Sequence, residues 1–362
     1  MAKMNFGELE KKYHNFYAPI AKVYVAGKEL LPLGIEITNV TVDHSLAGSD
    51  QFSFVVNNAF DIRAREFRWL GDLFAFGKRV KIEMGYRDEL QLKMHGLITE
   101  VRTSFPAGGL PQITVSGFDL SYCMGRGKKS ERWDDQTDSF VISQIARKHG
   151  LTPQVDDTRV SHPRIEQSQE SDLEFIKKLA ERNGFELYVF DETLHSRPAF
   201  EGKDPTFEFE WGRGLTSFTP EINISEQITE VEVRGWNVTT KQEIVGKAKA
   251  GEEPGRTGGR QSGGEVIKQI CRDEPPVHRV RQPVYSQEEA NRRAQAILKK
   301  RGEGFVKGSG EVIGIPLLFI DQTIGFKGLG QKFSKNYYLE KSTHTVSASG
   351  YKTTFNVKDT TI

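Results

Sequence analysis

At 362 residues the chain is long for one ordinary domain, and its 50 Lys plus Arg against 49 Asp plus Glu leave a net charge of +1. A field with so little preferred sign excludes nucleic acid as the default partner, and two distant cysteines, Cys123 and Cys271, exclude a disulfide framework and a Cys-based metal site. Two or three domains, each able to bury a core, are expected. The opening MAKMNFGELEKKYHNFY lacks the apolar stretch of a signal peptide, and the longest apolar run, Val312 to Ile320, is short and holds Pro316, so neither export nor membrane anchoring by the chain itself is expected.

Most of the chain alternates apolar and polar residues. IAKVYVAGKEL (20–30) turns at Ala26-Gly27, and ITNVTVDHSLAGSDQFSFVVNN (37–58) reads as two strands joined at Gly48-Ser49-Asp50. RVKIEMGY (79–86), LKMHGLITEVRTSF (92–105) and LPQITVSGFD (110–119) follow, the spacing of a sandwich or small barrel. The middle differs. TDSFVISQIARKHGL (137–151) places Val141, Ile142, Ile145 and Ala146 at helical spacing, with Thr137 or Asp138 as N-cap and Gly150 at the C-terminal cap. In QSQESDLEFIKKLAERNGFELYVF (167–190), Ser171 and Glu174 fit a capping box, Leu173, Ile176, Leu179 and Ala180 make an apolar face, and Gly184 ends the helix. β texture returns after Phe207. The stretch between Gly246 and Pro283 is rich in Gly, charge and Pro, and its first half reads as a mobile insertion. SQEEANRRAQAILKKRGEG (286–304) predicts a helix with Ser286 and Glu289 as a further capping box.

An internal repeat runs through the β segments. FGKRVKIEMGY, HGLITEVRTSF and PQITVSGFD occur in the same order and at similar spacing as FIDQTIGFKGLG, NYYLEKSTHTV and GYKTTFNV near the C-terminus.

No pattern of catalysis emerges. Glu166, Glu170, Asp172 and Glu174 could supply a glycosidase pair, but two of them have roles at a helix entrance. No HExxH or GxSxG occurs, the eight His are scattered, and GRGKKS (125–130) lacks the spacing of a phosphate loop. The basic runs around Arg126 to Arg132 and Arg292 to Arg301 are interleaved with acidic residues, as solvated or protein-facing surfaces are. No catalytic, cofactor-binding or metal-binding residue is assigned, and no cofactor is expected.

QSQESDLEFIKKLAERNGFELYVF resembles the signature of the phage late control protein D family, tail hub proteins related to the N-terminal part of VgrG: Gln167, then Glu170-Ser171-Asp172, Phe175, Leu179 and Gly184 before a strand. VEVRGWNVTTKQEIVGKA, EEANRRAQAILKK, GIPLLFIDQTIGFKGLG and NYYLEKSTHTVSASGYKTTF support the resemblance, which extends from about Pro19 to Val357. It implies a mainly β fold with an α+β insertion: an N-terminal extension (1–18), a first tube-like barrel (19–122), a small α/β domain (123–205) and a second barrel (206–362) with a mobile Gly-rich insertion at about 248–264. It further implies a non-enzymatic baseplate hub, a homotrimer whose six barrels match a sixfold tail tube to a threefold spike. The expected partners are spike or tail-tip protein, tube protein or tube initiator, baseplate wedge proteins and tape-measure protein, without specific nucleic-acid binding. The expected location is a virion or tail-like particle assembled in the bacterial cytoplasm, meeting membranes only through that particle. A tail-tip peptidoglycan hydrolase and a receptor- or carbohydrate-binding tail protein are the alternatives. Ser171, Glu174 and Gly184 are expected to act as caps of the insertion helix.

Overall fold

The computed structural model describes residues 3–199, 204–237, 241–253 and 259–362. Among the described residues, fourteen strands are hydrogen-bonded into one continuous sheet that carries both halves of the molecule. The N-terminal segment is part of the core: Met4–Asn5 pairs with Phe207 and Glu208, and helix α1 (Phe6–Lys12) buries Leu9 beside the equally buried Tyr13. The described part of the expected extension, residues 3–18, is thus packed against both halves, since Tyr13 and Phe16 lie against Tyr86 of the first.

The first half contains β1 (Pro19–Val25), β2 (Ile37–Ser45), β3 (Gln51–Val56), β4 (Arg79–Tyr86), β5 (Glu89–Ser104) and β6 (Gln112–Asp119). Its neighbour order is β1-β4-β5-β6-β3-β2. Alternation drives the curl, because every second residue of β2, β3 and β6 (Val40 and Val42, Phe52 and Phe54, Ile113 and Val115) enters the core. The Ala26-Gly27 turn takes positive φ at both residues, the geometry of a tight hairpin.

An α/β unit follows: β7 (Lys129–Thr137), α2 (Asp138–Lys148), β8 (Thr152–Val155), β9 (Ser161–Glu170), α3 (Asp172–Arg182), β10 (Phe185–Phe190) and β11 (Thr193–Pro198). Its core, including Val141, Ile142, Ile145, Phe175, Ile176 and Leu179, is separate from that of the barrels. It is tied to the first half by His95 Nδ1 to Asp191 Oδ1 at 2.7 Å and to the second by Arg197 Nε donating to Asp321 Oδ2 at 2.8 Å.

The second half begins with β12 (Phe207–Trp211) and β13 (Gly214–Ile222). The expectation for its continuation is a barrel carrying a Gly-rich insertion at about 248–264 and a helix at 286–304. A second α/β unit is inserted here: β14 (Glu230–Asn237), β15 (Gln242–Lys249), α4 (Gly263–Ile270), β16 (Val277–Arg281) and α5 (Gln287–Gly302), with its own core of Val231, Val233, Ala248, Ala290, Ala294 and Leu298. The stretch at 248–264 is therefore not a simple loop. Its start belongs to β15, its end opens α4 through a Ser262–Glu265 capping box, and residues 254–258 lie outside the described residues. The barrel resumes with β17 (Val306–Ile313), β18 (Thr323–Lys327), β19 (Asn336–Ser347) and β20 (Gly350–Asp359).

These six strands close into a ring, β12-β18-β19-β20-β17-β13 and back to β12. The neighbour order is that of the first half, with β12, β13, β17, β18, β19 and β20 standing for β1 to β6. The match extends to single residues. Thr99 of β5 and Glu340 of β19 are each the extra residue of a bulge against the following strand. Just before it, Ile98 exchanges backbone bonds with Gly77 and Lys78, as Leu339 does with Asp321 and Gln322. The halves are joined by antiparallel pairing of β2 with β19.

Candidate functional site

The quoted signature forms a polar knot at the entrance to α3. Ser171 Oγ accepts from the Glu174 amide at 3.3 Å, and Glu174 Oε2 accepts from the Ser171 amide at 2.9 Å, so both otherwise unpaired amides are satisfied. Asp172 is buried, accepting from Gln167 Nε2 at 3.1 Å, lying 2.7 Å from His149 Nε2 and ion-paired with Lys129. Burial acts to raise its pKa, but hydrogen bonds from His149, Lys129 and Gln167 outweigh that and hold the carboxyl below its usual range. Glu170 pairs with Lys178 and Glu166 with Arg164. Phe175 and Leu179 fill the core beneath, Phe175 stacking on Trp133 with ring centroids 5.5 Å apart. Gly184 adopts φ 71° after the helix, a conformation glycine reaches without Cβ strain. The four carboxylates thus have different partners: Arg164 for Glu166, Lys178 for Glu170, the His149, Lys129 and Gln167 group for Asp172, and the Ser171 amide for Glu174.

α5 is docked onto the first insertion. Arg292 donates to the Thr158 carbonyl, Lys299 reaches the Gly184 carbonyl at 3.4 Å and Lys300 pairs with Glu181 at 3.1 Å. Arg293 hydrogen-bonds Glu289 at 2.5 Å, and Arg301 lies 3.6 Å from Glu226. A cleft of about 530 Å³ lies between α3, α5 and the β2–β19 pairing; its lysines Lys177, Lys299, Lys300, Lys341 and Lys358 are engaged with carbonyls or with Glu181, Glu303 and Asp43. Among the described residues, no group of three or more His, Cys, Asp or Glu is placed to hold a metal ion, and no helix is long and apolar enough to cross a membrane.

A second polar cluster, at the junction of the halves, was not foreseen. Lys93 is fully buried and donates to the Leu318 carbonyl at 3.0 Å; desolvation lowers its pKa to about 7 against the nearby charge of Asp50. His344 Nε2 meets the same carbonyl at 2.9 Å, and His44 Nδ1 lies 2.5 Å from Asp50. Asp119 accepts from the Asp50 and Ser121 amides, and burial with the Asp50 charge raises it to about 7. The sequence signal is uneven: His44 follows Val40 and Val42 on the buried face of β2, where a polar side chain marks a satisfied contact, whereas Lys93 alternates with Gln91 and His95 and carries no such mark.

The duplicated barrel with its helical insertions defines a fold class, that of phage tail proteins and of the type VI secretion component that resembles them. The 43 kDa tail protein of prophage MuSo2 from Shewanella oneidensis superposes with a TM-score of 0.71 at 15% identity, covering 94% of this chain and 100% of that one. A type VI secretion component of Escherichia coli, described as structurally similar to the T4 tail proteins gp27 and gp5, gives a TM-score of 0.55 at 11% identity, covering 93% of this chain and 76% of its own. The chain belongs to the family described as the Alg8 N-terminal domain, whose family model matches residues 18–348. In sequence, 64 residues are 42% identical to a "Probable baseplate hub protein" of Escherichia phage 186; the match spans 17% of this chain and 16% of that relative.

Proposed function

We propose that the chain is a structural hub of a contractile tail or tail-like injection particle, a homotrimer that adapts a sixfold tube to a threefold spike. The observation that carries this reading is the duplication: one chain holds two lobes of identical strand order, so three chains supply six nearly equivalent lobes. Tube protein or tube initiator would stack on the six-lobed face, and spike or tail-tip protein on the other. Wedge proteins would meet the outside and a tape-measure protein the lumen, and the hub would be carried in the particle's baseplate. The reading needs no chemistry, and the partners of Glu166, Glu170, Asp172 and Glu174 support a scaffolding role.

Light scattering and class-averaged images of the purified chain test it: a threefold ring with six lobes is expected, and a monomer at every concentration overturns it. A peptidoglycan zymogram tests the enzymatic alternative. Lysis by the pure chain that disappears in Glu170→Gln or Glu174→Gln would replace the hub by a tail-tip hydrolase.

A further inference from the structure

The junction inside the chain has an unfilled counterpart. Residues 40–45 of β2 pair antiparallel with 341–346 of β19, in the register Thr41 opposite Thr345, Asp43 opposite Thr343 and His44 opposite Ser342. Each strand of this junction has an equivalent in the other half. Thr41 pairs Ser53, which pairs Ser116, while Thr219 pairs Ser309, which pairs Asn356; the shared bulge makes Ser116 and Asn356 equivalent, so Thr219 stands where Thr41 does. Glu221 then stands for Asp43 and Ile222 for His44. Along β5, counting from Thr99 as from Glu340, Val101 stands for Ser342, Arg102 for Thr343 and Ser104 for Thr345. Among the described residues, neither Glu100–Ser104 nor Thr219–Ile222 has a strand on its outer side, and Ile222 is 41% exposed.

We propose that these two edges join neighbouring copies of this chain: Glu100–Ser104 of one pairs antiparallel with Thr219–Ile222 of the next, Arg102 opposite Glu221. The proposal rests on the ring reading above and supplies its interface. The chemistry of the internal junction is carried over in changed form. Asp43 accepts from Thr343 Oγ1 at 2.5 Å and from Lys341 at 2.9 Å; Glu221 would meet Arg102, which in the single chain lies 2.8 Å from Glu100 and would sit between two carboxylates. Thr41 and Thr345 touch through their hydroxyls at 3.4 Å, and Thr219 and Ser104 bring the same groups. The buried pair His44 and Ser342 becomes the apolar pair Ile222 and Val101, suited to a seam that must first form between separate molecules.

Pro220 occupies the place of Val42. Leu46 donates its amide to Glu340 and Asn223 donates its amide inward to Phe305, so by alternation the backbone at 220 faces the outer edge, where proline offers no donor. The pairing lacks one rung there, and the free edge is blunted against indiscriminate partners.

The test uses the full-length chain with Cys123→Ser and Cys271→Ser. Adding Val101→Cys and Ile222→Cys should give covalently linked multimers on mild oxidation, whereas Val101→Cys with Glu221→Cys, whose side chains leave opposite faces, should not. Arg102→Glu or Glu221→Arg alone should weaken self-association by about tenfold or more, and the two together should restore it. Pro220→Val should tighten it. A chain that assembles normally but does not cross-link in this register and ignores both charge reversals overturns the interface while leaving the ring. A chain that stays monomeric overturns both.

Discussion

The two halves of the molecule share a strand order but close differently. The second seals its ring through hydrogen bonds between β12 and β13, whereas in the first β1 and β2 are not paired and β1 lies against β19 and β20 of the other half. Tyr86 donates to the Gly314 carbonyl at 2.9 Å and packs on Tyr351 with centroids 5.6 Å apart, while Lys93 reaches across to Leu318. β1 also pairs antiparallel with β4, while its counterpart β12 pairs parallel with β18. A duplicated lobe can thus exchange backbone closure for closure by its neighbour, at the cost of independence: buried residues of both halves form one cluster, while each insertion has its own.

The severest way to break this contrast is at the contact between Tyr86 and Tyr351. Tyr351→Ala should cost about 3–5 kcal/mol, as for other large buried aromatics, and should lower a single calorimetric transition shared by both halves. Two transitions, with only one displaced, would show the lobes to be independent. Gly314→Ala should act in the same direction, because a Cβ there would lie 2.1 Å from the Tyr351 ring.

Next is the polar cluster around Lys93 and Asp119. Between about pH 7 and 10.5 the unfolded chain holds a Lys93 proton that the native state lacks, so stability should rise with pH across that window, by about 1.4 kcal/mol per pH unit if the titration is complete. Lys93→Met should flatten this limb. Asp119 gives the opposite slope: its native proton is retained between 3.8 and about 7, so stability falls as pH rises there, and Asp119→Asn should remove that fall. Chemical denaturation from pH 4 to 10 reads both.

A smaller effect is expected in the first insertion. Asp172→Ala leaves His149, Lys129 and Gln167 without their shared acceptor and should cost about 2 kcal/mol, seen by hydrogen exchange in α2 and α3 before the barrels respond. In the wild type this contribution is present above the usual carboxylate pKa and is lost as pH falls through the depressed native value. The smallest loss, about 1 kcal/mol, belongs to Ser171→Ala, with Glu174→Gln milder because glutamine can still reach the cap amide.

What could be read from the sequence follows from how local its causes are. The α3 entrance is legible because a capping box is written within four residues, and the strands are legible because alternation repeats every two. The box at Ser286 is only half formed: its hydroxyl accepts from Glu289, but the Glu289 carboxylate turns to the Tyr285 amide. Ser262 and Glu265 carried the same signature, hidden by glycines whose packing is decided from outside: a Cβ on Gly263 would lie 2.4 Å from Gln227 Oε1. The second insertion was unreadable as a unit, because β14 and β15 alternate exactly as barrel strands do and only pairing distinguishes them. The pairing of β2 with β19 joins residues about 300 apart, beyond any local pattern.

The docking of α5 on α3 has a mechanical consequence. Lys177 of α3 donates to the Ala47 carbonyl at 2.8 Å, Lys300 of α5 grips Glu181, and Lys358 of β20 grips Glu303 at 2.8 Å, so both insertions lie as a clamp over the internal β2–β19 seam. The insertion on the second half interrupts β13 and β17, the joint that in the first half is the short turn between β2 and β3. Pulling the two halves of one chain apart must therefore break these side-chain grips as well as the strand pairing, so each pair of lobes should stay whole under force.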